Sequence, residues 1–115
     1  MNESDVVRLR HLLDAAEEVV KFTTGETRAS LDHDLKLVRA LSMSIGIIGE
    51  AASSISADFQ NSNPPIPWHQ LIGMRNFLIH AYFNIDLDIL WNTATQSVPS
   101  LIIELQKLIP PAKTE

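Results

Sequence analysis

Residues 31–59 read LDHDLKLVRALSMSIGIIGEAASSISADF, and in them Leu31, Leu35, Val38, Leu41, Ile45, Ile48, Ala52, Ile55 and Phe59 step by threes and fours without a break. Such spacing lays one apolar stripe along a helix that turns about 100° per residue. The stretch predicts a single helix of about 25 to 29 residues, about 40 Å long at 1.5 Å per residue. Beside the stripe run the small residues Ser42, Gly46, Gly49 and Ser53. A glycine inside a helix costs about 1 kcal/mol relative to alanine, so two of them predict the close approach of another helix. That helix is the one carrying Arg75, either in the same chain or in its copy in a dimer.

The flanking segments are shaped to pack on this spine. Towards the N-terminus, Ser4-Asp5 reads as an N-cap before Val6, Leu9, Leu13, Ala16 and Val20, and Thr23-Thr24-Gly25 as the end of that helix. Arg8, Arg10, His11, Asp14, Glu17, Glu18 and Lys21 fall mostly off the stripe and read as a solvated face. After the spine, Asp58 to Pro67 holds Pro64, Pro65 and Pro67 behind a polar run and reads as a loop, neither helix nor central strand. A third helix is expected from Trp68 to about Phe83. A fourth is capped by Asn84 and Asp86, carries Leu87, Leu90, Trp91, Ala94, Val98, Leu101, Ile102, Leu105 and Leu108, kinks or restarts at Pro99 and stops at Pro110-Pro111. The expected fold is all-α, an antiparallel four-helix bundle forming a single domain over residues 1–115. Apolar stripes on more than one face of the second and fourth helices predict a homodimer.

Composition sets bounds on function. Of 115 residues, 45% are hydrophobic and only 6% aromatic, which suits a helical bundle. The absence of cysteine removes disulfides, thiolate chemistry and Cys-based zinc sites, and with them any argument for an oxidising compartment. The start of the chain is polar and acidic and no apolar run has transmembrane length, so no membrane association and a cytoplasmic location are expected. Nine basic against fourteen acidic side chains leave a net charge of -5, the wrong sign for gripping nucleic acid over a broad face. An RNA substrate would need a local basic site. Asp32, His33 and Asp34 lie side by side and so point apart on a helix, with no histidine at i+4, so no metal site is expected there.

The chemistry-bearing stretch is Met74-Arg75-Asn76-Phe77-Leu78-Ile79-His80-Ala81-Tyr82. On a straight helix Asn76 and His80 share one stripe, Arg75 and Tyr82 the next, and Arg75 and His80 diverge by roughly 140°. Singly, His80 reads as a core or surface histidine, Arg75 as a salt-bridge residue and Tyr82 as a core aromatic with a wet hydroxyl. A guanidinium, an amide and an imidazole among Leu71, Ile72, Phe77, Leu78, Ile79 and Phe83 cost several kcal/mol unless each is paired, so their combination asks for a reason. Glu50, beside the small-residue stripe, reads either as a surface carboxylate or as a group that reaches Arg75 or His80 and orients it.

Arg75-Asn76-x3-His80-x-Tyr82 resembles the Arg-x4-6-His signature of the HEPN superfamily, in the form found in its HepT branch. Ile47-Ile48-Gly49-Glu50-Ala51-Ala52, Ile66-Pro67-Trp68, Ile85-Asp86, Trp91 and Val98-Pro99-Ser100-Leu101 are similar to family segments in the same order, so the resemblance covers roughly Arg8 to Leu108. It implies a HEPN-like bundle and the toxin of a type VII HepT/MntA-like toxin-antitoxin pair, a metal-independent ribonuclease with no cofactor. By that resemblance Arg75 and His80 are catalytic, Asn76 and Glu50 supporting. Tyr82 is the site at which a cognate MntA-like minimal nucleotidyltransferase antitoxin attaches AMP. The residue chemistry suits this, because RNA carries its own 2'-hydroxyl nucleophile and needs only proton transfer, a cation on the phosphoryl oxygens and in-line geometry. Two alternatives stand beside it: a non-catalytic HEPN module that binds a nucleotide or a nucleotidyltransferase, and a purely structural bundle.

Overall fold

The computed structural model describes residues 2–77 and 85–109. Helix α1 is Glu3–Thr23. A 3-10 turn at Arg28–Asp32 leads into α2, Leu35–Ser53, and α3 follows at Ala57–Ser62. Helix α4 is Trp68–Gly73; α5, Leu87–Asn92, runs through a π-helical stretch at Thr93–Ser97 into α6, Val98–Leu108. Among the described residues every regular element is helical, and the arrangement is the expected all-α, HEPN-like bundle. None of these helices is long and apolar enough to cross a membrane.

Helix α1 begins earlier than Ser4-Asp5 suggests. Asn2 is the cap, its Oδ1 accepting from the Asp5 backbone N–H at 2.7 Å. Asn caps as well as Asp or Ser, and starting at Glu3 turns Asp5 inward. There its carboxylate, almost fully buried, accepts from the Ser56 N–H at 2.9 Å and the Ser56 hydroxyl at 2.7 Å. The buried arc of α1 is accordingly Leu9, Leu12, Ala15, Ala16 and Val19, with Leu13 half-buried and Val20 turned outward. Further along, Glu18 Oε1 accepts from the Ser44 hydroxyl at 3.0 Å. Asp5 meets Ser56 and Glu18 meets Ser44, so α1 and α2 run antiparallel.

The long helix expected over residues 31–59 is three pieces. Leu31, Val38, Leu41, Ile45, Ile48, Ala52 and Ile55 do share the core, but Leu35 is exposed. The breaks have local causes. Asp34 caps α2 by accepting from the Leu37 N–H at 3.1 Å. At the other end the Ser53 and Ser54 hydroxyls donate to the Glu50 carbonyl, competing with the helical ladder. Ser56 then caps α3 through the Phe59 N–H.

The polar run read as loop is therefore helical at Ala57–Ser62. Its polar side chains fold back on the backbone: Gln60 Nε2 donates to the Ile55 carbonyl at 3.0 Å and Asn63 Nδ2 to that of Phe59 at 2.9 Å. Phe59 packs edge-on against Trp68 with ring centroids 6.0 Å apart, and the indole N–H donates to the Asn63 carbonyl at 3.0 Å. Trp68 and Ile66 thereby seat the start of α4 in the core.

In the last helical region Asp86 is the cap, its Oδ1 accepting from Asp88 and Ile89 N–H groups; the expected cap Asn84 lies outside the described residues, as do Phe83 and Pro110-Pro111. The disturbance expected at Pro99 falls just ahead of it, where the missing proline N–H leaves the ladder to widen into the π-helical stretch. Asp32 pairs with Arg28, which also holds Asp88, and these partners raise the Arg28 pKa further. With Asp34 used as a cap, none of the acidic cluster is spare, and the described residues hold no group suited to a metal ion.

The Asp5–Ser56 clamp gives the stability a pH dependence. The Ser56 backbone N–H first, and its hydroxyl second, hold the Asp5 carboxyl below the usual carboxylate range. A carboxyl whose folded pKa is depressed contributes stability above its unfolded value of about 3.9, lost as the pH falls through the folded value. Urea midpoints of wild type should therefore fall more between neutral pH and about pH 3 than those of Asp5→Asn, which cannot titrate there.

Candidate active site

Helix α4 ends at Gly73, and Met74 and Arg75 form a tight turn before Asn76 and Phe77 resume helical backbone. The N–H groups of Met74, Arg75 and Phe77 donate to carbonyls three residues back, at 2.9, 3.2 and 3.1 Å. The single helix expected from Trp68 to Phe83 is thus interrupted at the motif arginine. His80 and Tyr82 lie outside the described residues, so the motif is described only at Arg75 and Asn76.

Packing places the turn. An ideal Cβ built on Gly49 would lie 2.3 Å from the Arg75 backbone nitrogen, 2.7 Å from Arg75 Cγ and 2.9 Å from the Met74 carbonyl carbon. Only a residue without a side chain lets the two backbones come so close. The small-residue stripe of α2 meets, at Gly49, the motif segment of its own chain.

One residue further along α2, Glu50 reaches the arginine. Its Oε2 is 2.8 Å from Arg75 Nε, with both side chains about half exposed (53% and 48%). An ion pair so wet is worth about 0–1 kcal/mol, so its consequence is orientation more than stability. Among the described residues Glu50 is the one ion-pair partner of Arg75, and a guanidinium carries a planar fork of terminal amino groups of the kind that grips a phosphate. Asn76 is exposed beside it.

A recess of about 230 Å³ opens on the other side of Glu50, lined by Arg8, His11, Ile47, Glu50, Ala51 and Ser54. By sequence Arg8 and His11 belong to the solvated face of α1. Their spacing of three puts them on one side of α1, but nothing in the sequence said that this side meets Glu50. Arg8 Nε is buried and has no hydrogen-bond partner among the described residues. A larger recess of about 370 Å³ lies between α4 and α6, around Leu71, Met74 and Leu101. Its one charged wall residue is Glu104, which pairs with Lys107, so it offers no cation to an anion.

Comparison with known proteins agrees with the resemblance to the HepT branch. The sequence model of the family described as "Ribonuclease HepT-like" matches residues 12–108. The chain is 36% identical to "Probable ribonuclease HepT" of Thermococcus cleftensis over 94% of its own length and 98% of the relative's. It is 34% identical to "Putative RNase MJ1380" of Methanocaldococcus jannaschii over 92% and 98% of the two chains. No solved structure matches. With near full-length matches on both sides and the Gly49-Glu50 element packed on the motif turn, the chain belongs to the HepT-like ribonuclease family.

Proposed function

We propose that the protein is the toxin of a toxin-antitoxin pair, cutting RNA without a metal ion through Arg75 and His80. The observation that supports it most is the Glu50–Arg75 ion pair, which holds a half-exposed guanidinium beside a carboxylate at the motif turn. In this mechanism the 2'-hydroxyl oxygen forms a bond to phosphorus as the bond to the 5'-oxygen breaks. His80 moves the protons, taking that of the 2'-hydroxyl and supplying one to the leaving oxygen, while Arg75 carries the charge on the phosphoryl oxygens. The products are a 2',3'-cyclic phosphate and a free 5'-hydroxyl. Asn76 assists in holding the phosphate or the imidazole.

A homodimer belongs to the same reading. Leu35 and Met43 on α2, Ile89 on α5 and Ile103 on α6 are large exposed apolar side chains that a second copy would cover. Control by an MntA-like nucleotidyltransferase, through AMP on Tyr82, is the remaining element: a nucleotide phosphate on the motif, if it reached Arg75, would occupy the cation and repel RNA.

One experiment tests both halves. Protein purified apart from any antitoxin should cut RNA in the presence of EDTA and leave cyclic phosphate ends. After incubation with the partner nucleotidyltransferase and ATP, wild type should gain AMP on the peptide holding Tyr82 and lose cleavage. Tyr82→Phe should gain none and keep cutting, since a lost hydroxyl costs on the order of 1 kcal/mol. Cleavage abolished by EDTA would overturn the metal-independent mechanism. AMP on the Phe variant would overturn the role of Tyr82. Acidic net charge favours a module that binds without cutting, and that reading gains if nucleotide is bound and no RNA is cut.

A further inference from the structure

We infer that the recess between α1 and α2 is a base-recognition subsite, built to take a guanine of the RNA strand whose scissile phosphate lies on Arg75. The inference rests on the ribonuclease reading for its placement on the strand, but the recess makes its own chemical case. Its lining combines apolar Ile47 and Ala51 with the cationic Arg8, the anionic Glu50, the flat ring of His11 and the polar Ser54. About 230 Å³ is below the roughly 300–1,000 Å³ of sites for drug-sized ligands, yet holds several waters at about 30 Å³ each, which suits one planar ring system.

The charge pattern selects among ligands. A bare phosphate would meet the Glu50 carboxylate at close range, whereas a base with both donor and acceptor edges would not be opposed by it. The ion pair with Arg75 uses Glu50 Oε2, so Oε1 has lone pairs to offer N–H donors in the recess. The Arg8 guanidinium belongs to the lining of the recess; its Nε is buried without a hydrogen-bond partner among the described residues, so the contact to an entering base falls to its terminal nitrogens. Guanine is the base that supplies both complements, with adjacent N1–H and N2–H₂ donors for a carboxylate and O6 and N7 acceptors for an arginine. His11, one turn from Arg8 on the same side of α1, is placed to stack on its face, as bases of single-stranded RNA stack on aromatic side chains. The shared Glu50 couples the two subsites: one oxygen orients the catalytic cation and the other reads the neighbouring base.

The test is titration of isotope-labelled full-length protein with GMP, AMP, CMP, UMP and inorganic phosphate, following the Arg8 Nε–H and His11 ring signals. GMP is expected to shift both signals and to bind at least about ten-fold tighter than UMP, the margin that one good bidentate contact gives. Arg8→Lys keeps the charge and the apolar stem but loses the planar fork, and should lower GMP affinity about ten-fold with UMP little changed. His11→Ala, at an exposed position, should weaken all four nucleotides. Equal binding of the four, shifts reproduced by phosphate alone, or no effect of Arg8→Lys would each overturn the inference. RNA cleavage by a wild type that shows no GMP response at Arg8 sinks the subsite and leaves the ribonuclease reading standing. An Arg8-dependent GMP response in a protein that cuts no RNA supports the subsite and sinks the ribonuclease reading.

Discussion

RNA cleavage by Arg75→Ala and by His80→Ala is expected to fall at least about 100-fold each, with helix content unchanged. General acid-base transfer contributes about 10²–10⁴-fold and a positioned charge-stabilising donor about 10²–10³-fold, so loss of either is visible in single-turnover cleavage and in a growth assay. The structure adds a graded series at Arg75. Arg75→Lys retains the charge beside Glu50 and loses the planar fork. It should recover only part of the rate. Glu50→Gln keeps an acceptor at the same place and should lower the rate less than loss of the arginine, with the effect in kcat more than in KM. The pair is half exposed, so thermal stability should change little in any of these. Wild-type-like killing by Arg75→Ala or His80→Ala would remove the catalytic assignment; unfolding of the variants, seen by circular dichroism, would mean that the pair is structural.

Gly49→Ala is expected to be the most disruptive single methyl in the described structure. In an ordinary helix the change stabilises by about 1 kcal/mol. Here the new Cβ would meet the Arg75 backbone nitrogen at 2.3 Å and the Met74 carbonyl carbon at 2.9 Å, and backbone atoms cannot rotate away as a side chain can. Overpacking of that kind costs about 1–3 kcal/mol, so the net expectation is destabilisation, about 4 °C in Tm per kcal/mol for a domain near this size. Separation of α2 from the motif turn also pulls Glu50 from Arg75, so cleavage should fall with stability. Gly73→Ala is the control. Its Cβ would meet nothing within 4 Å and its φ is not positive, so helix propensity alone predicts a neutral or stabilising change. Calorimetry showing the two alanine variants alike would refute the close-approach argument.

Periodicity determined the fold class by itself. Leu41, Ile45, Ile48 and Ala52 are buried where a helical stripe puts them, and Leu90, Ala94, Val98, Leu101 and Leu105 are too. A stripe depends only on the chemical identity of residues three and four apart, which is local information. Where a helix stops is a competition, and the sequence shows only one competitor. Ser53, Ser54 and Ser56 were equally compatible with a continuous helix. The Ser53 and Ser54 hydroxyls compete locally for the Glu50 carbonyl, and to this the tertiary structure adds Asp5, distant in sequence, clamping Ser56, and Phe59 packing on Trp68 across the corner. The motif turn has the same origin: nothing between Trp68 and Phe77 forbids a straight helix, and the interruption at Met74–Arg75 lies where that backbone is pressed on Gly49.

For the site, the residue types and the Gly49-Glu50 element were legible because their spacing carries the family resemblance. The pairing of Glu50 with Arg75 is not fixed by sequence, since a carboxylate on a helix surface has no intrinsic address. Arg8 and His11 were not legible at all. A charged residue off the apolar stripe looks solvated in sequence, and only the antiparallel packing of α1 on α2 turns that side of α1 towards Glu50, because the direction and register of two helices are set by side chains far apart in the chain.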